Sequence, residues 1–375
     1  MASEPSGQRH QWAVVLGLLA LLTGPGCRSV PSQRLSRYEF NQPQMGVPFR
    51  IVLYAPDVTK AEAGAKAAFA RVSQLNGLLS DYEYDSELNR LARTSGSGQA
   101  VKLSGDLWRV LACAQAMSRR SEGAFDVTVG PCVGLWRKAR REGRLPDPAR
   151  LAAARQAVGY RRLRLDARRR TATLLVANMR LDLGGIGKGC ALDEALKVLY
   201  AHGIRRALVT GGGDMVAGEP PPGKTGWRIE VASLDVTNAP LPCYVSLARS
   251  GLATSGDLFQ HLEIQGRRYS HIVDPRTGVG LTDHSLVTVI ARDGMTADSL
   301  STAVSVLGPT RGRQLVERTP GAAALIVRKP GQQVEIVTTS RFPKHLERPN
   351  QKAALIPENR SAPRPQVPTA PPARR

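Results

Sequence analysis

Residues 256–307 read GDLFQHLEIQGRRYSHIVDPRTGVGLTDHSLVTVIARDGMTADSLSTAVSVL. Apolar and polar residues alternate on both sides of the turn-forming pair Gln265-Gly266, and this pattern predicts a β-hairpin. His271 stands at the end of its second strand, just before a turn at Asp274. A single histidine beside a turn is more often packed or exposed than catalytic, so the hairpin alone gives His271 no function.

The second half of this stretch predicts a helix over residues 295–307, where apolar residues recur at helical spacing, and a Gly-Pro pair at 308–309 should end it. Asp298, Ser301 and Thr302 lie three and four positions apart, hence on one face of that helix. A carboxylate followed by hydroxyls one turn later is an all-oxygen arrangement that suits a hard cation such as Mg²⁺. Helix capping explains the same residue types, so both interpretations stay open at this point.

The chain has 375 residues, 42% of them hydrophobic, which allows one large domain or two smaller ones. Its net charge of +21 is uneven: residues 137–170 hold thirteen basic and three acidic residues, and residues 341–375 hold eight and two. We expect the first segment to be a solvated basic insertion and the second, rich in proline, to be a disordered tail. With only 5% aromatic residues for base stacking, the chain is not expected to bind nucleic acid.

The N-terminus predicts export. A basic residue and a histidine precede an apolar run at 12–22, which is too short for a confident membrane span but suits a signal-peptide core. Cys27 follows in TGPGC and resembles the acylated cysteine of a bacterial lipobox, although Gly24 stands where leucine is usual. We therefore expect a signal peptide over residues 1–27 and a short tether over 28–37, while cleavage without lipidation stays open.

The four remaining cysteines include no C-x-x-C pair, which disfavours zinc binding and thioredoxin-like chemistry. An oxidising compartment permits a disulfide among them without predicting one.

Alternation, capping residues and stop signals predict the remaining elements. Helices are expected at 59–79, 104–121 and 187–202, and strands at 38–41, 49–54, 161–166, 171–176, 227–232, 244–247, 251–254, 323–327 and 334–337. A further strand should end at Asp182, and Tyr82 should be exposed in a loop. Since helices and strands do not alternate regularly, the predicted class is α+β, with mixed or largely antiparallel sheets flanked by helices.

Two glycine turns could present backbone N–H groups to an anion. The first, GGIGKG at 184–189, opens a helix but matches neither the Walker A loop nor G-x-G-x-x-G. The second, TGGGD at 210–214, follows a strand, and a sharp structural turn explains it equally well. Asp126, within EGAFDVTVGPCVGLW, is either part of a structural turn or part of a ligand-binding wall.

Eight blocks occur along the chain in a fixed order: MG at 45–46, LSDYEYDSEL at 79–88, GAFDVTVGP at 123–131, LDLGGIGKG at 181–189, GGGD at 211–214, ATSGD at 253–257, YSHIVDPRTG at 269–278 and TADSLSTAV at 296–304. In order and approximate spacing they resemble the FAD:protein FMN transferase family, also called ApbE, over residues 38–337. The resemblance implies a T-fold-like catalytic unit, placed here at residues 38–340. It also implies a Mg²⁺-dependent lipoprotein at the periplasmic face of the inner membrane, which cleaves FAD, joins FMN to a threonine hydroxyl of another protein and releases AMP. The acceptor would be a subunit of a membrane redox pump or another exported redox protein.

The resemblance also implies residue roles. His271 would lie near the reacting phosphate with Asp257 beside it. The metal would be held by Asp298, Thr302, Ser301 and the Gly187 carbonyl. Contacts to the flavin nucleotide would come from Met45, Tyr82, Ala124, Phe125, Asp126, Gly184, Cys190 and Ile272.

Several positions depart from the family pattern. Gly187 and Ser301 each replace a common alanine, and Cys190 stands where tyrosine is frequent. Two other functions stay open: hydrolysis of FAD to FMN and AMP at the same site, and flavin binding without catalysis. Retention of Asp298, Thr302 and His271 argues against the second.

Overall fold

An eight-stranded antiparallel sheet forms the centre of the structure, a computed structural model that describes residues 34–231, 234, 243–257, 260–331 and 333–346. From Leu35 onward these residues belong to one unit. The predicted signal peptide, the lipobox, most of the tether and the tail beyond Leu346 lie outside the described residues.

The described residues contain seven α-helices, which are α1 Val58–Leu79, α2 Glu87–Ala92, α3 Gly105–Arg120, α4 Gly130–Glu142, α5 Pro148–Gln156, α6 Gly187–Ala201 and α7 Gly294–Glu317. The strands are β1 Ser36–Gln44, β2 Val47–Ala55, β3 Val101–Lys102, β4 Leu163–Asp166, β5 Thr171–Leu174, β6 Ala207–Gly211, β7 Asp214–Ala217, β8 Trp227–Val231, β9 Cys243–Leu247, β10 Ser250–Gly256, β11 His261–Ile264, β12 Arg267–Ser270, β13 Ser285–Ala291, β14 Ala323–Arg328 and β15 Glu335–Thr338. None of the helices in this part of the chain has the length and apolarity needed to cross a membrane.

The large sheet has the strand order β1-β2-β6-β7-β10-β13-β14-β15 and is covered on both faces. Ile51 and Leu53 of β2 face the main core with α1, α6 and α7, whereas Val52 between them faces a second core with β8 and β9. This is the period-two alternation of a strand with two buried faces. The predicted α+β class with largely antiparallel sheets is confirmed.

Local sequence accounts for the helix starts. Asp57, Ser104 and Asp293 are the N-cap residues of α1, α3 and α7, and each side chain accepts a hydrogen bond from a backbone N–H three residues later. α6 lacks such a cap and begins at Gly187, directly after the first glycine turn. Other groups accept from its first turn: the Gly187 N–H donates to the Leu183 carbonyl at 2.7 Å, and the Gly189 N–H donates to Oδ2 of Asp298 on α7 at 3.0 Å.

The elements that the sequence patterns missed include the helices α4 and α5 and the strand β13. The physical reason is clear for β13. All seven of its residues are buried, because both faces of the central sheet are covered. A strand buried on both faces shows no alternation, so periodicity did not distinguish it from an apolar loop.

Apart from shifts of one to three residues at the ends of strands and helices, the structure differs from the predicted boundaries at three places. α7 breaks at Gly308 (φ 74°), as expected, but a second segment resumes and reaches Glu317. No strand ends at Asp182; its backbone N–H instead donates to the Val127 carbonyl at 2.7 Å. The packed unit continues past residue 340, since Phe342 is fully buried in the second core.

Helices α6 and α7 approach closely at Gly189, and this contact gives a testable prediction. A Cβ at Gly189 would lie 2.2 Å from the Gly294 carbonyl oxygen, so Gly189→Ala must separate the two helices. We expect a loss of about 3 kcal/mol in the free energy of unfolding, measured by urea titration. Gly134→Ala is the control: it lies inside α4 with no atom within 4 Å of its Cβ position, and should stabilise by about 0.5–1 kcal/mol. Equal stability of the two variants would contradict the prediction.

Candidate active site

A cavity of about 630 Å³ opens where the two glycine turns, α4, the hairpin β11-β12 and the start of α7 meet. It brings together residues far apart in sequence. The predicted site residues that line it are Met45, Tyr82, Ala124, Phe125, Asp126, Gly184, Gly187, His271, Ile272, Asp298 and Thr302.

His271 lies at the end of β12, as predicted, with its ring half-buried in the cavity wall. Its backbone N–H and its ring Nδ1 both lie within hydrogen-bond distance of the Gln260 carbonyl, at 3.0 and 3.1 Å. A carbonyl only accepts, so Nδ1 carries the proton of the neutral ring and Nε2 keeps its lone pair. Burial lowers the pKa of His271 to about 4. The imidazole is therefore neutral at pH 7 and able to accept a proton.

Asp257 is buried, and among the described residues its carboxylate hydrogen-bonds to Arg268 and His284 and not to His271. Arg268 Nε donates to Oδ2 and His284 Nδ1 donates to Oδ1 at 2.7 Å. Arg268 also donates to the Asp257 carbonyl at 2.8 Å. Asp257 thus joins the end of β10 to the hairpin and supports the segment that carries Gln260 and His271. Although burial lowers the pKa of His271, the charge of Asp257 acts to raise it, while the hydrogen bonds of Asp257 support the segment around that histidine.

Asp298 is buried in the first turns of α7 and faces the start of α6. The Gly189 N–H donates to its Oδ2 at 3.0 Å, and Lys188 Nζ lies 3.7 Å from its Oδ1. The same Nζ lies 2.9 Å from Oδ2 of Asp214, which follows the second glycine turn. Burial raises the pKa of Asp298, Lys188 opposes that rise, and Asp214 adds to it. The two glycine turns therefore bring two carboxylates and one ammonium together at the cavity.

Hydroxyl groups surround this charge cluster. Ser255 Oγ lies 2.8 Å from Ser301 Oγ and 3.3 Å from Thr302 Oγ1. Thr302 also lies against the first glycine turn, since a Cβ at Gly185 would be 2.8 Å from its Oγ1. Ser301 is fully buried and donates to the Asp298 carbonyl at 2.9 Å, so its side chain does not line the cavity.

The residues present fit a hard divalent cation. Among the described residues no three His, Cys, Asp or Glu side chains cluster as a metal site, so such an ion would depend on carboxylate, hydroxyl and carbonyl oxygens. Lys188 Nζ is the cation beside both buried carboxylates, at 2.9 Å from Oδ2 of Asp214 and 3.7 Å from Oδ1 of Asp298. Two carboxylates that share one ammonium leave net negative charge in a buried place, which a cation would neutralise.

Cys190 does not line the cavity. It is buried on α6, where Arg109 Nη2 lies 3.6 Å from its Sγ, and burial raises the pKa of its thiol to about 11. The prediction that Cys190 contacts the flavin nucleotide finds no support in this placement.

The sequence left open whether Asp126 belongs to a structural turn or to a ligand-binding wall. Its carboxylate accepts hydrogen bonds from the backbone and hydroxyl of Thr128 and from the Tyr160 N–H, at 2.8, 2.7 and 2.6 Å. The side chain is therefore occupied in a structural turn. The same turn forms part of the cavity wall together with its neighbours.

Sequence reasoning missed the role of the basic segment after Trp136. The prediction that residues 137–170 are a solvated addition is wrong for Arg137 and Arg140, which continue α4 and line the cavity. Arg137 donates to Asp81 and to Asp182, the latter at 2.7 Å, and its guanidinium lies 4.6 Å from the ring centre of Tyr82. Tyr82 is 76% exposed, as predicted, and Arg137 holds it beside the cavity. Helical spacing from Val133 could have placed both arginines on the same face.

Fold and site together define an antiparallel α+β protein with a cleft suited to a phosphorylated ligand. Residues 45–326 match the ApbE family. The chain belongs to that family, which confirms the resemblance seen in its sequence blocks.

Named relatives agree. The chain is 34% identical over 266 residues to the FAD:protein FMN transferase of Haemophilus influenzae, covering 69% of this chain and 77% of that protein. It is 30% identical over 331 residues to a Klebsiella pneumoniae protein of the same name, covering 85% and 93%. Among solved structures, the flavin transferase ApbE from Vibrio cholerae superposes with a TM-score of 0.76 at 28% identity, covering 84% of this chain and 100% of that one.

Proposed function

We propose that this protein transfers the FMN part of FAD to an acceptor protein and releases AMP. Relatives that match most of the chain are named for this transfer. The observation that carries the proposal is the convergence of His271, Lys188 and Asp298 on one cavity with most of the predicted nucleotide contacts. Phosphoryl transfer needs a proton acceptor for the attacking hydroxyl and positive charge beside the phosphates. His271 is the proton acceptor, Lys188 is a cation, and Asp298 could hold a metal ion.

The chemistry is one displacement at phosphorus. The acceptor hydroxyl oxygen attacks the FMN phosphorus, the bond from that phosphorus to the bridging oxygen breaks, and AMP leaves with that oxygen. The hydroxyl proton passes to Nε2 of His271, because Nδ1 is held at the Gln260 carbonyl. We propose a threonine as the acceptor residue, on a redox-pump subunit or another exported redox protein.

We further propose that Mg²⁺ binds at Asp298 and Thr302, with the Gly187 carbonyl as a further ligand. When bound, the ion neutralises pyrophosphate charge. We assign Ser301 to positioning Asp298 rather than to metal binding, because its hydroxyl donates to the Asp298 carbonyl and is also hydrogen-bonded with Ser255. Asp214, which sequence reasoning did not include among the metal ligands, places a second carboxylate 2.9 Å from Lys188, and Lys188 lines the cavity.

The test combines two readouts. The soluble chain from residue 28 onward is incubated with FAD, Mg²⁺ and a flavin-carrying acceptor protein, and the intact mass of the acceptor and the AMP released are measured. An FMN-sized mass gain equal to the AMP released supports transfer. AMP without a mass gain, repeated with several acceptors, would favour hydrolysis, and bound FAD without AMP would favour a binding protein.

The pKa of His271 predicts the pH below which the rate of the reaction falls. The neutral ring is the active form, and its pKa in the free enzyme is about 4, so kcat/KM should stay level from pH 8 to about pH 5 and fall below that. Bound pyrophosphate favours the imidazolium, so the limb in kcat should lie at higher pH. The unfolded chain protonates His271 near pH 6.5, whereas the folded chain does so near pH 4. The folded state therefore loses stability as the pH falls from 6.5 to 4. Circular dichroism at each pH shows whether the protein is still folded. A limb in kcat/KM near 6.5 would contradict the prediction.

We also propose that the chain is exported and anchored by a lipid on Cys27 at the periplasmic face of the inner membrane. The apolar run at 12–22 and the cysteine in TGPGC support this. Fractionation of the full chain and its Cys27→Ala variant tests it. The wild type should be in the membrane fraction and the variant in the periplasmic fraction; a soluble wild type would overturn the anchor.

A further inference from the structure

One face of α4 forms part of the cavity wall. Val129, Val133, Arg137 and Arg140 line the cavity at successive intervals of four, four and three residues, which is one side of a helix. The two apolar residues lie in the first half and the two arginines near the end. The helix therefore brings two guanidinium groups to the cavity from a segment outside the eight sequence blocks.

The other cations of the cavity have carboxylate partners. Arg137 contacts Asp81 and Asp182, and Lys188 contacts Asp214 and Asp298. Arg140 differs: within the described part of the chain it forms no ion pair, and its hydrogen bond goes to the neutral Oε1 of Gln260 at 3.3 Å. Among the described residues, Arg140 is thus a cation at the cavity without a carboxylate partner.

Arg140 is also connected to the proposed base. Gln260 accepts from Arg140 with its side chain and from His271 with its backbone carbonyl, so one residue lies between the two. Burial and the nearby Arg137 both lower the pKa of Arg140, which means that its surroundings disfavour the charged form. A bound anion would remove that penalty.

We propose that Arg140 binds a phosphate oxygen of the FAD pyrophosphate beside His271. The inference rests on the proposed function. It adds a residue that lies outside the eight sequence blocks on which the family resemblance was based. A guanidinium presents planar N–H donors that match phosphate oxygens, and it stays protonated at any working pH. Arg137, already engaged with two carboxylates, is assigned to positioning Tyr82 instead.

The experiment measures binding in the His271→Ala protein, so that FAD is not consumed during titration. Flavin fluorescence gives the Kd of FAD, which has the pyrophosphate, and of riboflavin, which lacks it, both with Mg²⁺ present. Loss of one charge-assisted hydrogen bond in Arg140→Gln should weaken FAD binding about tenfold to a hundredfold, with riboflavin unchanged. Arg140→Lys should recover part of the loss because it keeps the charge. Arg141→Gln, an exposed neighbour on the same helix, is the control and should bind FAD like the parent.

Three results would overturn the assignment. FAD affinity that is unchanged in Arg140→Gln would do so. An equal loss for FAD and riboflavin would show that Arg140 maintains the shape of the cavity rather than binding phosphate. A His271→Ala parent that binds no FAD would remove the proposed function and this inference together, whereas the first two results leave the proposed function intact.

Discussion

Replacing His271 with alanine is expected to reduce the rate of FMN transfer by about 10²- to 10⁴-fold, the usual contribution of a positioned general base. The free Nε2 of the neutral ring is the proton acceptor that the site offers, because Nδ1 is held by the Gln260 carbonyl. The fold should survive, since the side chain is half-buried and this hydrogen bond is its main attachment. Stopped reactions with FAD, Mg²⁺ and acceptor, followed by AMP assay, give the rate.

The control for His271→Ala is His202→Ala. His202 is exposed at the end of α6, so the same change there should leave the rate within about twofold. FAD binding should persist in His271→Ala, since proton transfer rather than nucleotide binding is removed. A rate similar to that of the wild type, with normal FAD affinity, would exclude His271 as the base.

Replacing Asp298 with asparagine is expected to lower Mg²⁺-dependent transfer at least about a hundredfold, because even residues that only support metal ligands cost tenfold to a hundredfold when changed. Asparagine has nearly the same shape, and its amide oxygen can still accept from the Gly189 N–H. The contact between α6 and α7 is therefore preserved while the negative charge is lost. Mg²⁺ binding by calorimetry, measured without acceptor, gives a readout that does not depend on turnover.

Asp293→Asn provides the matched comparison on the same helix. Asp293 is the N-cap of α7, and asparagine caps as well as aspartate. Both variants lose one carboxylate near the start of α7, but only Asp298 faces the cavity. Equal losses of Mg²⁺ affinity in Asp293→Asn and Asp298→Asn would show that the negative charge near the start of α7 matters in general. Asp298 would then not be a metal ligand.

Local sequence was sufficient for much of the fold. The helix over Val58–Leu79, the cap at Ser104 and the hairpin turn at Gln265-Gly266 all appear where predicted. Both turn residues have positive φ, 52° and 72°, as the sequence pair suggests. These features depend on residues within a few positions of one another, so periodicity, capping and turn propensity carry the necessary information.

Interactions between distant segments required the tertiary structure. Lys188 meets Asp298 and Arg137 meets Asp81, pairs separated by 110 and 56 positions in the chain. Similarly, Asp257 binds Arg268 and His284 rather than His271, and Cys190 turns toward Arg109. Which partner a buried charge or thiol receives depends on how helices and sheets pack, and no local pattern encodes that choice.

The sequence by itself determined the family, through blocks in order, and most of the residues that line the cavity. Only the tertiary structure decided the electrostatics of that cavity. It placed the end of a basic helix in the wall, neutralised Arg137 with two carboxylates and left Arg140 without one among the described residues. The physical reason is that residue types fix which groups can bind or ionise, whereas burial and the positions of neighbouring charges fix which of them remain available.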